Sequence, residues 1–158
     1  MTGRRATPVV EVTRVTEFSA AHRLHSPYLS EQANRALYGK CNNSNGHGHT
    51  YRLEATIAGP LDPDLGLLAA AVRLDEALSG LAGRFDGAHL DHDIPELAAT
   101  SRTSEQLADL LRRLLVEAVG PALRRVVLYE TPNNVFEAAA ARQTWPSAER
   151  AAAGRRHG

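Results

Sequence analysis

Residues 47–57 alternate without a break. His47, His49, Tyr51, Leu53, Ala55 and Ile57 fall on one face; Gly48, Thr50, Arg52, Glu54 and Thr56 fall on the other. A period of two over that length is a strand with two different faces, and it commits the chain to a sheet. Gly59-Pro60 marks its end. Residues 9–18 are β-branched and partly alternating and read as an earlier strand. Residues 123–130 and 135–138 read as two more, joined at Asn133-Asn134 in a hairpin. Two helical segments intervene, an Ala/Leu-rich one over 67–82 and a clearer one over 104–119. In the second, Leu107, Leu110, Leu111, Leu114, Leu115 and Ala118 repeat at helical spacing. Thr103 and Gln106 are spaced as a capping box, and Gly120-Pro121 stops the helix. Residues 24–46, with Pro27, Gly39, Gly46 and several Asn, read as a long loop, and loops of that length are often functional.

This order predicts an α+β fold: a four-stranded antiparallel sheet with two helices on one face. Two helices leave sheet edges open, so the chain is expected to cover them by oligomerising. The length of 158 residues suits one domain. Residues 1–8 read as an N-terminal extension, 9–138 as the domain, and the Ala/Arg-rich 139–158 as a flexible tail.

Charge and cysteine content narrow the function. Eighteen Lys+Arg balance eighteen Asp+Glu, which excludes a phosphate-tracking nucleic-acid binder. No apolar run approaches the ~18 residues of a membrane span, and no secretory signal follows the basic N-terminus. The single cysteine, Cys41, excludes an intrachain disulfide and fits a reducing, cytoplasmic setting.

His47-Gly48-His49 puts two imidazoles on one strand face, close enough to share a cation. His22, beyond the end of the first predicted strand, can supply a third ligand if the two strands pair. Three neutral imidazoles around Zn²⁺ leave a coordination position open, the catalytic pattern. A lone His-x-His is also an ordinary polar start to a strand. Cys41 admits three readings: a fourth ligand closing a structural site, a base or nucleophile beside an open one, or an inert buried thiol.

Phe18-Ser19-Ala20-Ala21-His22-Arg23-Leu24 and Gly39-Lys40-Cys41-Asn42-Asn43-x-Asn45-Gly46-His47-Gly48-His49-x-Tyr51 resemble the 6-pyruvoyl-tetrahydropterin synthase family. Its sister branch makes 6-carboxy-tetrahydropterin for deazapurines. Leu90-Asp91-x-Asp93-Ile94-Pro95, Thr103-Ser104-Glu105 and Tyr129-Glu130-Thr131-x-Asn133-Asn134 match as well. The spacing from Cys41 to His47 is more like the pyruvoyl branch. The resemblance implies a tunnelling fold, with trimers closed into barrels and stacked as a homohexamer, and active sites between subunits. It implies zinc on His22, His47 and His49, and Cys41 as a base. It implies 7,8-dihydroneopterin triphosphate as the small-molecule substrate, with Glu130 anchoring the pterin and Thr103, Ser104 and Glu105 beside it. The bland alternatives are a solvated strand-end charge for Glu130 and a first-turn helix acid for Glu105.

The sequence departs from the family at the Asp-His pair that relays protons. Gap-free counting places that pair at Asp86-Gly87, so the His is missing. Asp86 with His89 as a displaced partner is one reading; the shifted Leu90-Asp91-His92 is another; loss of the relay is a third. That departure leaves open a pterin-binding member with weak or altered turnover. Ala70 stands where the family often has Asp or Asn, which weakens local helix capping.

Overall fold

The computed structural model describes residues 7–139. The expectations for residues 1–8 and 139–158 lie almost wholly outside them. Strand β1 spans Val9–His22 and β2 spans His47–Pro60. They pair antiparallel over their full lengths, with Phe18 opposite Tyr51, Ala20 opposite His49 and His22 opposite His47. Strand β4 (Leu123–Thr131) adds to the other side of β2, and β5 (Asn134–Ala138) returns beside β4 through a turn at Pro132-Asn133. The turn falls one residue earlier than the sequence suggested.

The expected four-stranded antiparallel sheet needs correcting. The sheet has five strands in the order β3-β1-β2-β4-β5, and β3 (Ala88–His89) runs parallel to β1. Two residues are too few to show a period. What makes them a strand is non-local: Gly87 N–H donates to Ser19 O at 2.7 Å and Leu90 N–H to Ala21 O at 2.7 Å.

The helix count also needs correcting, from two to three. Helix α1 (Glu31–Tyr38) lies inside the segment read as loop. Its Ser30 side chain accepts from Ala33 N–H as N-cap, and its interior residue Asn34 is fully buried. Asn34 Oδ1 accepts from Ser26 N–H at 2.7 Å, while Nδ2 donates to the carbonyls of Ser26, Leu29 and Ser30. The helix is only eight residues long, short of the ~11–18-residue window in which a helical period can be read, so patterning does not find it. Helix α2 spans Ala70–Phe85, three residues later than expected at both ends. Its N-cap is Ala69, which has no side-chain cap, and its end is set by Gly87 at φ +74°. Helix α3 spans Ser104–Val119 as expected, with Thr103 accepting from Gln106 N–H.

Helices α2 and α3 bury one sheet face. Leu74, Leu78 and Phe85 of α2 and Leu107, Leu111 and Leu115 of α3 meet Phe18, Tyr51, Leu53, Ile57, Val126 and Leu128. Phe18 stacks on Tyr51 at 5.3 Å and tilts against Phe85 at 5.4 Å. Because β1 and β2 alternate, the same face that carries Phe18 and Tyr51 carries His22, His47 and His49 at the strand ends. The core thus gives way to imidazoles within two rungs. Among the described residues no helix is long and apolar enough to cross a membrane.

Candidate active site

The three imidazoles converge. The nearest ring nitrogens of His22, His47 and His49 all lie within 4.8 Å of one another. His22 Nε2 faces His47 Nε2 at 3.1 Å. Two imidazole nitrogens approach so closely only around a shared proton or cation, and tetrahedral Zn–N bonds of ~2.05 Å would set ligand nitrogens about 3.3 Å apart. His49 Nε2 is buried and has no hydrogen-bond partner. Burial pushes the His47 and His49 pKa values down, and His22 adds to that, against the opposing Glu130 charge. The direction favours the neutral imidazole that a metal requires. The donor set fits zinc.

His22 is the most buried of the three, at 1 % exposure. Its Nδ1–H donates to the Arg102 carbonyl at 3.2 Å, which leaves Nε2 as the free ligand atom. Arg102 is the only non-glycine among the described residues with positive φ, at +54°. Its guanidinium forms an ion pair with Asp91, Nε 3.3 Å from Oδ1 but outside hydrogen-bond geometry, and donates to Ala98 O at 3.0 Å. Asp91 also accepts from Arg23 N–H at 3.0 Å, one residue beyond His22. A carboxylate, a guanidinium and a strained carbonyl thus brace one imidazole.

Glu130 comes from β4. Its Oε1 lies 3.7 Å from His22 Nε2 and 3.6 Å from His49 Nε2. Ser104 Oγ donates to Oε1 at 2.6 Å, and Asn134 Nδ2 donates to Oε2. The carboxylate is fixed at the cluster and is not the solvated strand-end charge of the bland reading. Thr103 caps α3, and so places Ser104 against Glu130. Glu105 is exposed in the first turn of α3.

Cys41 lies outside the three-histidine cluster. Its carbonyl accepts from Leu24 N–H at 2.7 Å, and buried Asn42 donates to Leu24 O at 2.7 Å. These bonds tie the cysteine turn to the end of β1. Burial, reinforced by the Glu130 charge, pushes the Cys41 thiol up.

No hydrogen bond or ion pair joins Asp86 to His89. Asp86 Oδ1 accepts from Ser19 N–H at 2.8 Å. Gly87 lines a shallow recess of 380 Å³ with Ser19, Ala21, Gly48, His49 and Thr50. The His89 ring faces Asp91, whose carboxylate lies 3.7 Å from Nδ1, while Asp93 Oδ2 accepts from the His89 backbone N–H at 2.7 Å; the His89 and His92 rings lie 4.6 Å apart. Sequence reasoning gave no role to Arg102, Asn34 or Asn42, because Arg102 acts through its carbonyl and the two asparagines through side-chain bonds to the backbone of other segments. Only the positive φ of Arg102 marks its role, and that is not visible in residue types.

Residues 11–141 match the family described as 6-pyruvoyl tetrahydropterin synthase. This chain belongs to that family. It is 41% identical over 134 residues to the 6-pyruvoyl tetrahydrobiopterin synthase of Drosophila melanogaster, covering 82% of this chain and 79% of the relative. The human enzyme of the same name is 38% identical over 138 residues, 84% of this chain and 92% of its own length. The solved Caenorhabditis elegans 6-pyruvoyl tetrahydropterin synthase superposes with a TM-score of 0.78 at 37% identity. That match covers 85% of this chain and 98% of the other. The synthase-family resemblance read from the Cys41–His49 segment is thereby established for the chain.

Proposed function

We propose that this protein is a zinc-dependent 6-pyruvoyl tetrahydropterin synthase. It takes 7,8-dihydroneopterin triphosphate, eliminates triphosphate, and moves hydrogen internally so that the ring is reduced as the side chain is oxidised. The carrying observation is the buried three-histidine cluster with the Glu130 carboxylate 3.6–3.7 Å from two of its members. The pyruvoyl names of the relatives favour this product over the 6-carboxy one.

His22, His47 and His49 would hold zinc. When bound there it would acidify the side-chain hydroxyls it ligates and the C–H beside them. Glu130 anchors the pterin: an acceptor-only carboxylate, held by Ser104 and Asn134, matches the adjacent 2-amino and N3–H donors. Thr103, Ser104 and Glu105 border that anchor. Cys41 takes the side-chain proton and returns it to the ring. Its place outside the imidazole cluster supports a base over a fourth ligand. Burial and then the Glu130 charge raise its thiol pKa, and a dication bound nearby would oppose both. Asp86 and His89, which share no hydrogen bond or ion pair within one chain, would serve the relay only where subunits meet in the homohexamer. The single free cysteine fits the cytoplasm.

Gly87 favours a second reading: binding of zinc and pterin with slow or altered turnover. Incubating the purified protein with dihydroneopterin triphosphate and weighing the products decides between them. A 6-pyruvoyl product at an ordinary family rate supports the synthase; bound but unchanged substrate supports the second reading.

A further inference from the structure

We propose that the buried hydroxyl of Tyr51 is a positioning group for the pterin anchor, acting through Ser104 on Glu130. The inference rests on the pterin reading above and deepens it by one residue. Tyr51 lies on β2 and is fully buried, at 0% exposure. Its ring packs on both sides: it stacks on Phe18 at 5.3 Å and meets the His49 ring edge-on at 5.6 Å. A phenylalanine would make both contacts. The hydroxyl differs, because it is buried with no hydrogen-bond partner. A desolvated polar group without a partner destabilises a core, so stability does not account for it.

Three side chains from three elements lead from that hydroxyl to the imidazoles. Ser104, the first residue of α3, is beside the hydroxyl but outside hydrogen-bond geometry. Ser104 is itself buried, and its Oγ donates to Glu130 Oε1 at 2.6 Å. Glu130 Oε1 in turn lies 3.7 Å from His22 Nε2 and 3.6 Å from His49 Nε2. A seryl hydroxyl carries one proton and two lone pairs. With its proton committed to Glu130, Ser104 can only accept, and Tyr51 can donate. A tyrosine hydroxyl keeps its proton at neutral pH, and burial pushes its pKa up further, with Ser104 opposing.

The effect falls on the direction of the Ser104 hydroxyl. A serine hydroxyl rotates to suit its partners, and a second bond fixes where its proton points. Donation from Tyr51 holds that proton on Glu130 Oε1 and strengthens the bond, since linked hydrogen bonds polarise one another. Asn134 holds the other oxygen, Oε2, so both ends of the carboxylate are set and its remaining lone pairs face the pterin's 2-amino and N3–H groups. Hydrogen bonds of such sites tighten when substrate docks, and the pull of the pterin on Glu130 closes the Tyr51–Ser104 contact. Buried as it is, Tyr51 touches no substrate; it acts on the anchor and not on the reacting atoms.

The test titrates the zinc-loaded protein with neopterin, followed by pterin fluorescence. It compares the unmodified chain with Tyr51→Phe, Ser104→Ala, the double variant of these two, and Glu130→Gln. Tyr51→Phe should keep its zinc and melt no lower than the unmodified protein, because it loses only an unpartnered hydroxyl. It should bind neopterin about five- to tenfold more weakly. In turnover of dihydroneopterin triphosphate it should raise KM by a similar factor and hold kcat within about twofold, as for a binding contact kept into the transition state. The double variant should bind no more weakly than Ser104→Ala alone, since Tyr51 acts through Ser104. Unchanged neopterin affinity in Tyr51→Phe would overturn the proposal. So would a lower melting temperature or lost zinc, which would make the hydroxyl a structural group. Losses that add in the double variant would overturn it as well, by routing Tyr51 through some other side chain. Glu130→Gln separates this inference from the pterin reading. Weaker binding there, with none in Tyr51→Phe, sinks the Tyr51 role and leaves the anchor standing; unchanged binding there sinks the anchor and the role with it.

Discussion

At Gly87 the backbone takes φ +74° and the space where a side chain would stand is open. His89 and His92 both line another pocket, with Asp91, Arg23 and Arg102. His89→Ala is expected to lower turnover further, by about 10²–10⁴-fold if it carries the proton, while His92→Ala does little. The opposite ranking, read by steady-state kinetics, would favour the shifted Asp91-His92 register. Gly87→His has room; a side chain at this positive φ is strained, though His bears it better than most residues. A strong gain in rate there would mean the relay was lost and not relocated. For the metal, His47→Ala should abolish stoichiometric zinc in the purified protein, and Cys41→Ala should keep it; metal analysis of the two variants checks both. Arg102→Ala should weaken zinc about 10–100-fold, because the carbonyl that orients His22 loses its tether to Asp91. A chelator competition that finds unchanged affinity would refute that brace. The metal residues were legible in the sequence because alternation assigns a face to every strand position. Arg102 was not, because nothing in its residue type announces a left-handed carbonyl.

Among the elements, α3 was legible throughout: apolar repeat, Thr103 cap and Gly120 stop all agree with the structure. Thr103→Ala should cost about 1 kcal/mol in urea unfolding, and it should cost pterin affinity too, since the cap sets Ser104 under Glu130. Stability unchanged within 0.3 kcal/mol would remove the cap from the account, by the usual ~0.5–2 kcal/mol range for such losses. Helix α1 and strand β3 were illegible for different reasons. Helix α1 is organised around a buried asparagine and is too short to show a period. Strand β3 exists only because Asp86, Gly87 and Leu90 reach Ser19 and Ala21 across the sheet edge. Helix α2 was found but displaced, since neither Ala69 nor Ala70 carries the side-chain oxygen that would have marked its start.

On the scale of the whole molecule, the sheet order was readable as far as the hairpin-like neighbours, and the added parallel strand was not. Strand β3 pairs with β1 only at Ala20 and Ala21. Residues 9–18 of β1 therefore have no strand on that side among the described residues, with Val9 and Val15 exposed at 69% and 48%. A long open edge of this kind invites pairing with another subunit. Light scattering at micromolar concentration should return six chains per particle; a monomer would remove the inter-subunit site. The full-length register of β1 on β2 has a further consequence, for heredity. One codon inserted between Phe18 and His22 would turn an imidazole away from its partners, because each strand position alternates in face. Codons gained or lost among residues 25–32, away from Cys41, leave that count untouched. A lineage carrying this gene can remodel the outer stretch of the joint and keep its metal, but it must transmit the strands letter for letter in length.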